Sequence, residues 1–322
     1  MSDTAPQAVD LGFPADVAEC LAKKRTYVQG SPLQELRALL TANDSPAKDC
    51  DDATLCRFLE SNVDVRHLEI KGVSIKKTAK HVTSSMAWRT KVGAATCMCP
   101  DCGDDPFGHC LFSIGRDKRG WELFYSCPGR SRGKAPAAIE RHFIAQMEAA
   151  FNRPNAPTHF CLMVDLHGFG LSDLDPRVGA RMVQLLLTHY PDRIAQCAIL
   201  DSPWVFGACW QLIKGMLDPL MQTKAAFLRG EQMSEYFARW FSPEQTQFMN
   251  EIVKLRAGFS HAAFPPITPQ IRLPIGPSDA YMRETASSSV EESAPSTSPN
   301  VDVVTGGVTG GVPVPDDPAL NA

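Results

Sequence analysis

Several features are missing from this 322-residue chain, and each absence excludes something. No run reaches the roughly 18 consecutive apolar residues of a membrane-spanning helix, so no permanent span is expected. The opening residues, MSDTAPQAVDLGF, hold neither a basic stretch nor an apolar core, which argues against an export signal. Neither Gly-x-Ser-x-Gly nor His-Glu-x-x-His occurs. His167-Gly168-Phe169-Gly170 suggests a phosphate loop, but Asp173 stands where a dinucleotide-binding loop needs its third glycine. Strong basic charge is missing too. After Phe264 the chain carries seven acidic residues against two basic ones, a net of −5, which leaves the rest at +1 out of a total of −4. Such a body lacks the electrostatic footprint of a nucleic-acid binder. The clusters Lys76-Lys77-Lys80 and Arg130-Arg132-Lys134 read as solvated faces.

What is present is ordinary globular composition, 44% apolar and 21% charged, with eleven cysteines. An odd cysteine count without an export signal points to reduced thiols and a cytoplasmic setting. Residues 1–30 show no sustained periodicity and are expected to be flexible. A helix is expected from Ser31-Pro32, with Gln34 completing a capping box. A second is expected from Asp51-Asp52. A third, longer one begins near Asp64 and carries Leu68, Ile75, Ala79, Val82 and Met86, so residues 31–95 read as an all-helical module. Strand-like runs then flank Arg116–Gly120 as a hairpin. Helices over 137–151 and 176–189 and strands over 160–166, 194–200 and 223–228 alternate up to a helix over 232–241. That order makes an α/β domain over 105–258 with a mostly parallel sheet. Residues 259–322 hold Ser-Ser-Ser and two Thr-Gly-Gly runs; ten of the 25 prolines and a single aromatic, Tyr281, fall in 265–322, and the tail is expected to be disordered.

The segment 204–217 departs from a surface helix. Trp204, Val205, Phe206, Trp210, Leu212, Ile213, Met216 and Leu217 fall within 14 residues, interrupted by only two long polar side chains, Gln211 and Lys214. A helix apolar around most of its circumference is buried, or faces something apolar that is not protein.

Two motifs compete for a chemical reading. His109-Cys110, then five intervening residues and Arg116, has the spacing of a cysteine-dependent phosphatase, but the bulky Leu111–Ile114 run reads as a strand rather than a phosphate-cradling loop. Cys97, Cys99 and Cys102, with His109 and Cys110 downstream, suggest zinc, yet the second half lacks regular ligand spacing, and no metal is expected.

A set of motifs in order resembles the CRAL-TRIO lipid-binding family across about residues 33–255. They are Asp52 to Leu59, Trp88-Arg89, Gly115 to Gly120, Asp165-Leu-His-Gly168, His189-Tyr190-Pro191-Asp192-Arg193, Asp201 to Phe206, and Leu217-Asp218-Pro219 with Lys224. The resemblance implies a helical module followed by a sheet that floors an apolar lipid pocket under a mobile gate helix, here Val205–Leu217. It implies pocket and gate residues Phe160, Leu162, Val164, Phe206, Trp210, Ile213, Leu217 and Phe227, with Asp192 and Lys224 at the headgroup. Where the family usually has a basic stretch this chain has Glu60-Ser61-Asn62-Val63; where phosphatidylcholine carriers place hydroxyls it has Phe160 and Leu162; a frequent threonine is Met221. The implied protein is a monomeric, cytoplasmic lipid-binding or lipid-transfer protein without catalysis. Its ligand would be a phospholipid such as phosphatidylinositol, with no other cofactor and only transient contact with membranes. The alternatives are the Cys110/Arg116 phosphatase and a scaffold that binds no lipid.

Overall fold

The computed structural model describes residues 13–99, 108–131, 133, 135–173 and 175–257. The expectations for Cys102, Arg132, Lys134 and the 259–322 tail lie outside these residues.

The N-terminal region begins with a helix that periodicity did not announce, α1 (Ala15–Val28). Its inward row is Val17, Cys20, Lys24 and Val28, and the lysine within it breaks the apolar stripe. Helix α2 (Ser31–Ala42) starts on Gly30 without a side-chain cap, so the capping box with Gln34 does not form. Asp51 does cap α3 (Asp52–Asn62), accepting the Thr54 N–H at 2.6 Å. The helix expected from Asp64 is replaced over its first part by an antiparallel hairpin, β1 (Val63–Arg66) and β2 (Glu69–Val73). The 63–70 stretch alternates Val63, Val65 and then Leu68, Ile70, a period of two, around a turn in which His67 and Leu68 adopt φ of 53° and 63°. Ser74 then caps α4 (Ile75–Val92), which ends on left-handed Gly93. The module is therefore mostly but not wholly helical, and Leu36, Leu40, Leu55, Phe58, Leu59 and Val82 form its core.

The second region is built on a five-stranded sheet in the order β3 (Leu111–Arg116), β4 (Glu122–Ser126), β5 (Phe160–Asp165), β6 (Ile194–Leu200), β7 (Ala225–Leu228). The first pair is an antiparallel hairpin and the remaining pairs are parallel. Each crossover moves one strand in the same direction, and right-handed crossovers of that kind place every connecting helix on one face. Helices α5 (Pro136–Phe151) and α6 (Pro176–His189) accordingly pack on Phe124 and Phe160. The last connection holds α7 (Phe206–Met216) and the one-turn α8 (Pro219–Gln222). The opposite face, with Leu123, Tyr125, Cys161, Met163, Ala198 and Leu200, is covered by α9 (Glu231–Trp240) and α10 (Pro243–Ala257), which follow the last strand. Among the described residues no helix is long and apolar enough to cross a membrane.

Candidate functional site

The site follows from where the connecting helices leave the sheet uncovered beneath them. Phe160, Leu162 and Val164 share one face of β5 by strand alternation. Helices α5 and α6 close over Phe160, which is fully buried in their core. Further along the strand the N-terminal halves of the two helices, through Ile139, His142, Val178 and Met182, wall a cavity of about 530 Å³ floored by Leu162 and Val164, within the usual range of small-molecule sites. Its far wall is α7, through Phe206, Cys209, Trp210 and Ile213, with Leu217 just beyond. Strand β6 contributes Ile194, Cys197 and Ile199, residues that strict alternation would divide between two faces. The pairing resolves this: Phe160 opposes Ile194 but Cys161 opposes Gln196, a bulge that resets the phase after Ile194. Burial, and next the neighbouring Cys161, push the Cys197 thiol up to about 12, so it stays protonated on the cavity floor.

Two of the expected pocket residues lie elsewhere. Phe160 is core beneath the helices, as described. Phe227, on edge strand β7, is 42% exposed and meets Trp210 edge-on at 5.0 Å, outside the cavity, at the rim where the strand runs out of neighbours. The outer side of α7 shows apolar surface as well: Leu212 is 46% exposed, and Trp204, just before the helix, is 85% exposed. Gly207 and Gly215 sit inside α7 with nothing near the position of a Cβ. Each costs about 1 kcal/mol of helix stability relative to alanine, so this segment is held weakly.

Asp192 and Lys224, expected together, are together. The Lys224 ammonium lies 3.7 Å from the Asp192 carboxylate and donates to the Ile194 carbonyl, at the bulge, at 2.8 Å; both side chains are buried. Burial pushes the Lys224 pKa down, opposed in part by Asp192. For Asp192 burial works upward, but Lys224 and His159, with Lys24 beyond, outweigh it and hold the carboxyl well below its ordinary range. Asp192 has φ 54°, a conformation that aspartate tolerates better than most residues. The segment is anchored through Tyr190, whose hydroxyl donates to Glu148, which also takes Arg89 at 2.6 Å. His189 stacks on Trp88 at 3.6 Å. The Trp88-Arg89 and His-Tyr-Pro motifs thus join the N-terminal region to the sheet domain.

Lys224 lines the apolar cavity and also a second, polar cleft of about 760 Å³ that includes Lys24, Glu60, Lys71, Lys77 and Asp192. Glu60 was not anticipated as a site residue. Burial, with the charge of Asp192 and a hydrogen bond to it, raises the Glu60 pKa to about 7.

The phosphatase geometry is absent. Cys110 precedes β3 and Arg116 ends it, so the two stand at opposite ends of the strand, on the order of 15–20 Å apart. Cys110 is buried, and the Arg116 guanidinium donates to the Asn155 carbonyl.

Residues 107–248 match the family model described as the CRAL/TRIO domain, and the chain carries a domain of that family. A CRAL-TRIO domain-containing protein of Schizosaccharomyces pombe is 27% identical over 201 residues, 57% of this chain and 42% of that protein. The phosphatidylinositol transfer protein PDR17 of Saccharomyces cerevisiae is 24% identical over 203 residues, 58% of this chain and 56% of that one. The chain thus matches about half the length of these relatives. The crystal structure of Sfh5 is similar at a TM-score of 0.43 and 14% identity, covering 51% of this chain and 64% of that one.

Proposed function

We propose that this protein is a lipid carrier. It takes up one amphipathic lipid, with acyl chains in the cavity and an anionic headgroup of the phosphoinositide type at Lys224, and exchanges it at membrane surfaces without chemical reaction. One observation carries the reading: a buried lysine stands where an apolar cavity meets a polar cleft, the polarity profile of a phospholipid. PDR17, named for phosphatidylinositol transfer, supports the same headgroup.

Magnitudes explain why the headgroup residues set selectivity. Burying on the order of 30 methylenes at about 0.8 kcal/mol each exceeds any polar contact. The bilayer offers the same apolar surroundings, so that term largely cancels during exchange. The remainder is one or two charge-assisted hydrogen bonds at about 1.5–3 kcal/mol each. At a membrane, α7 would swing outward with Trp204 and Leu212 dipping into the interface. We further propose that the carrier acts as a cytoplasmic monomer.

The test is mass spectrometry of lipids extracted from the purified protein, with transfer assays between vesicles. Lys224→Met removes the charge while keeping the volume, and Asp192→Asn in the same chain avoids a stranded buried carboxylate. The double variant should lose roughly tenfold or more in phosphatidylinositol transfer, with little change for a neutral apolar fluorophore. Unchanged phosphatidylinositol transfer would refute the headgroup assignment. Absence of any extracted lipid and any transfer by the wild type would favour a scaffold.

A further inference from the structure

Beside the apolar cavity, whose lining includes His109 and His142, three metal-ligating side chains converge. Cys99 follows the short turn after α4, His109 lies just before β3, and His142 is on α5; one ligand atom from each lies within 4.8 Å of the others. Sequence spacing conceals this set, because His142 comes from a helix some thirty residues on.

The histidines are oriented as metal ligands usually are. His109 Nδ1 donates to the Gly133 carbonyl at 3.0 Å, and His142 Nε2 donates to the Leu111 carbonyl at 2.7 Å. A carbonyl only accepts, so each bond fixes a tautomer and places the lone pair on the ring's other nitrogen. Ligating histidines typically make this outer bond to a carbonyl or carboxylate. The two rings lie 5.0 Å apart at 46°. Gly133 makes the arrangement possible: a Cβ there would sit 2.5 Å from His109 Cε1. Cys97 is not part of the set, its Sγ donating instead to the Arg141 carbonyl at 3.6 Å.

We propose that Cys99, His109 and His142 bind one divalent ion of the zinc class, which fastens the segment after α4 to β3 and α5 at the cavity wall. One thiolate and two neutral imidazoles suit zinc or cobalt and disfavour magnesium or calcium. With metal bonds of about 2.0–2.1 Å to nitrogen and 2.3 Å to sulfur, tetrahedral ligand atoms stand roughly 3.3–3.6 Å apart. Rotation of the half-buried Cys99 side chain closes the remaining gap. The fourth position would take water or another exchangeable ligand. Since His109 and His142 also line the cavity, the ion would stiffen that wall whether or not a lipid is present.

The experiment uses the full chain, kept reduced, loaded with Zn²⁺ and desalted, then analysed for metal; a parallel sample receives Co²⁺ for absorption spectroscopy. The expected result is about one zinc per chain, with a thiolate-to-cobalt charge-transfer band and intense tetrahedral ligand-field bands. Cys99→Ser should abolish the charge-transfer band. His142→Ala should weaken zinc binding by at least roughly 100-fold, beyond what loss of an outer partner costs. Cys97→Ser and Cys110→Ser should retain both signals. Should His142→Ala fail to fold, Cys99→Ser decides, because its side chain is half-exposed and serine nearly isosteric. Negligible zinc with no charge-transfer band in the wild type, or a band that survives Cys99→Ser, overturns the site.

Discussion

The two faces of the central sheet carry helices from different stretches of the chain, and the faces are packed to different standards. Helices α9 and α10 bury one face in a continuous apolar cluster: Tyr125, Phe237 and Phe241 are essentially inaccessible, and Phe237 stacks on Phe241 at 5.3 Å. On the other face α5 and α6 pack closely over Phe124 and Phe160, and elsewhere they and α7 enclose a cavity; α7 has two glycines in its 11 residues and apolar side chains on both sides. One face supplies stability, and the other gives some of it up for an opening that a ligand can fill.

The sharpest test of this contrast is a truncation on each side. Phe237→Ala on the solid face should cost about 3–5 kcal/mol in urea unfolding. Leu162→Ala on the cavity floor should cost less than half as much, because part of that side chain already faces space, while shifting which acyl chains are retained. Equal costs would mean that the cavity face is as tightly packed as the other.

Trp210→Asp comes next. It removes the edge contact with Phe227 and places a charge in the apolar wall, so vesicle transfer of every lipid should fall roughly tenfold or more, in line with the burial free energy of a large aromatic. Loss of transfer for anionic lipids alone would contradict a gating role.

The polar cleft predicts a pH effect. Glu60 has a folded pKa of about 7 against an unfolded value near 4.5. Its protonated form therefore contributes stability that is fully present below about 4.5 and declines as pH rises through about 7. The effect should be on the order of 1–3 kcal/mol. Glu60→Gln should flatten the wild-type decline between pH 5 and 7.5 in denaturant titrations; parallel profiles would remove Glu60 from the account.

The smallest effect belongs to Gly215→Ala. Adding a methyl group in open space inside α7 should stabilise the helix by about 0.5–1 kcal/mol and slow lipid exchange a few-fold. Faster exchange would show that opening does not require α7 to loosen.

Much of the α/β domain was legible because its signals are local. Helix α6 and strand β6 lie at the residues that hydrophobic period and the flanking Asp175-Pro176 and Tyr190-Pro191 indicate. Elsewhere local signals mislead, for identifiable reasons. Lys24 interrupts the stripe of α1, and the seven-residue interval from Leu68 to Ile75 imitated a helix across what is a hairpin and its cap. Asp192 and Lys224 were indicated only by resemblance to a family, and Glu60 showed as a departure from that family's pattern without a role.

By itself the sequence determined the strand and helix periods, the crossover order that places α5 and α6 on one face, and the surplus of apolar side chains over 204–217. These follow from neighbours within a few residues and from the handedness of the chain. Only the tertiary structure decided that Phe160 is core while Leu162 is cavity floor, that a bulge in β6 turns Cys197 and Ile199 inward, that Lys224 meets Asp192 across 32 positions, and that His142 faces Cys99 and His109. Those outcomes depend on how closely a covering helix packs on each stretch of the sheet and on which distant segments meet there, and no local pattern encodes either.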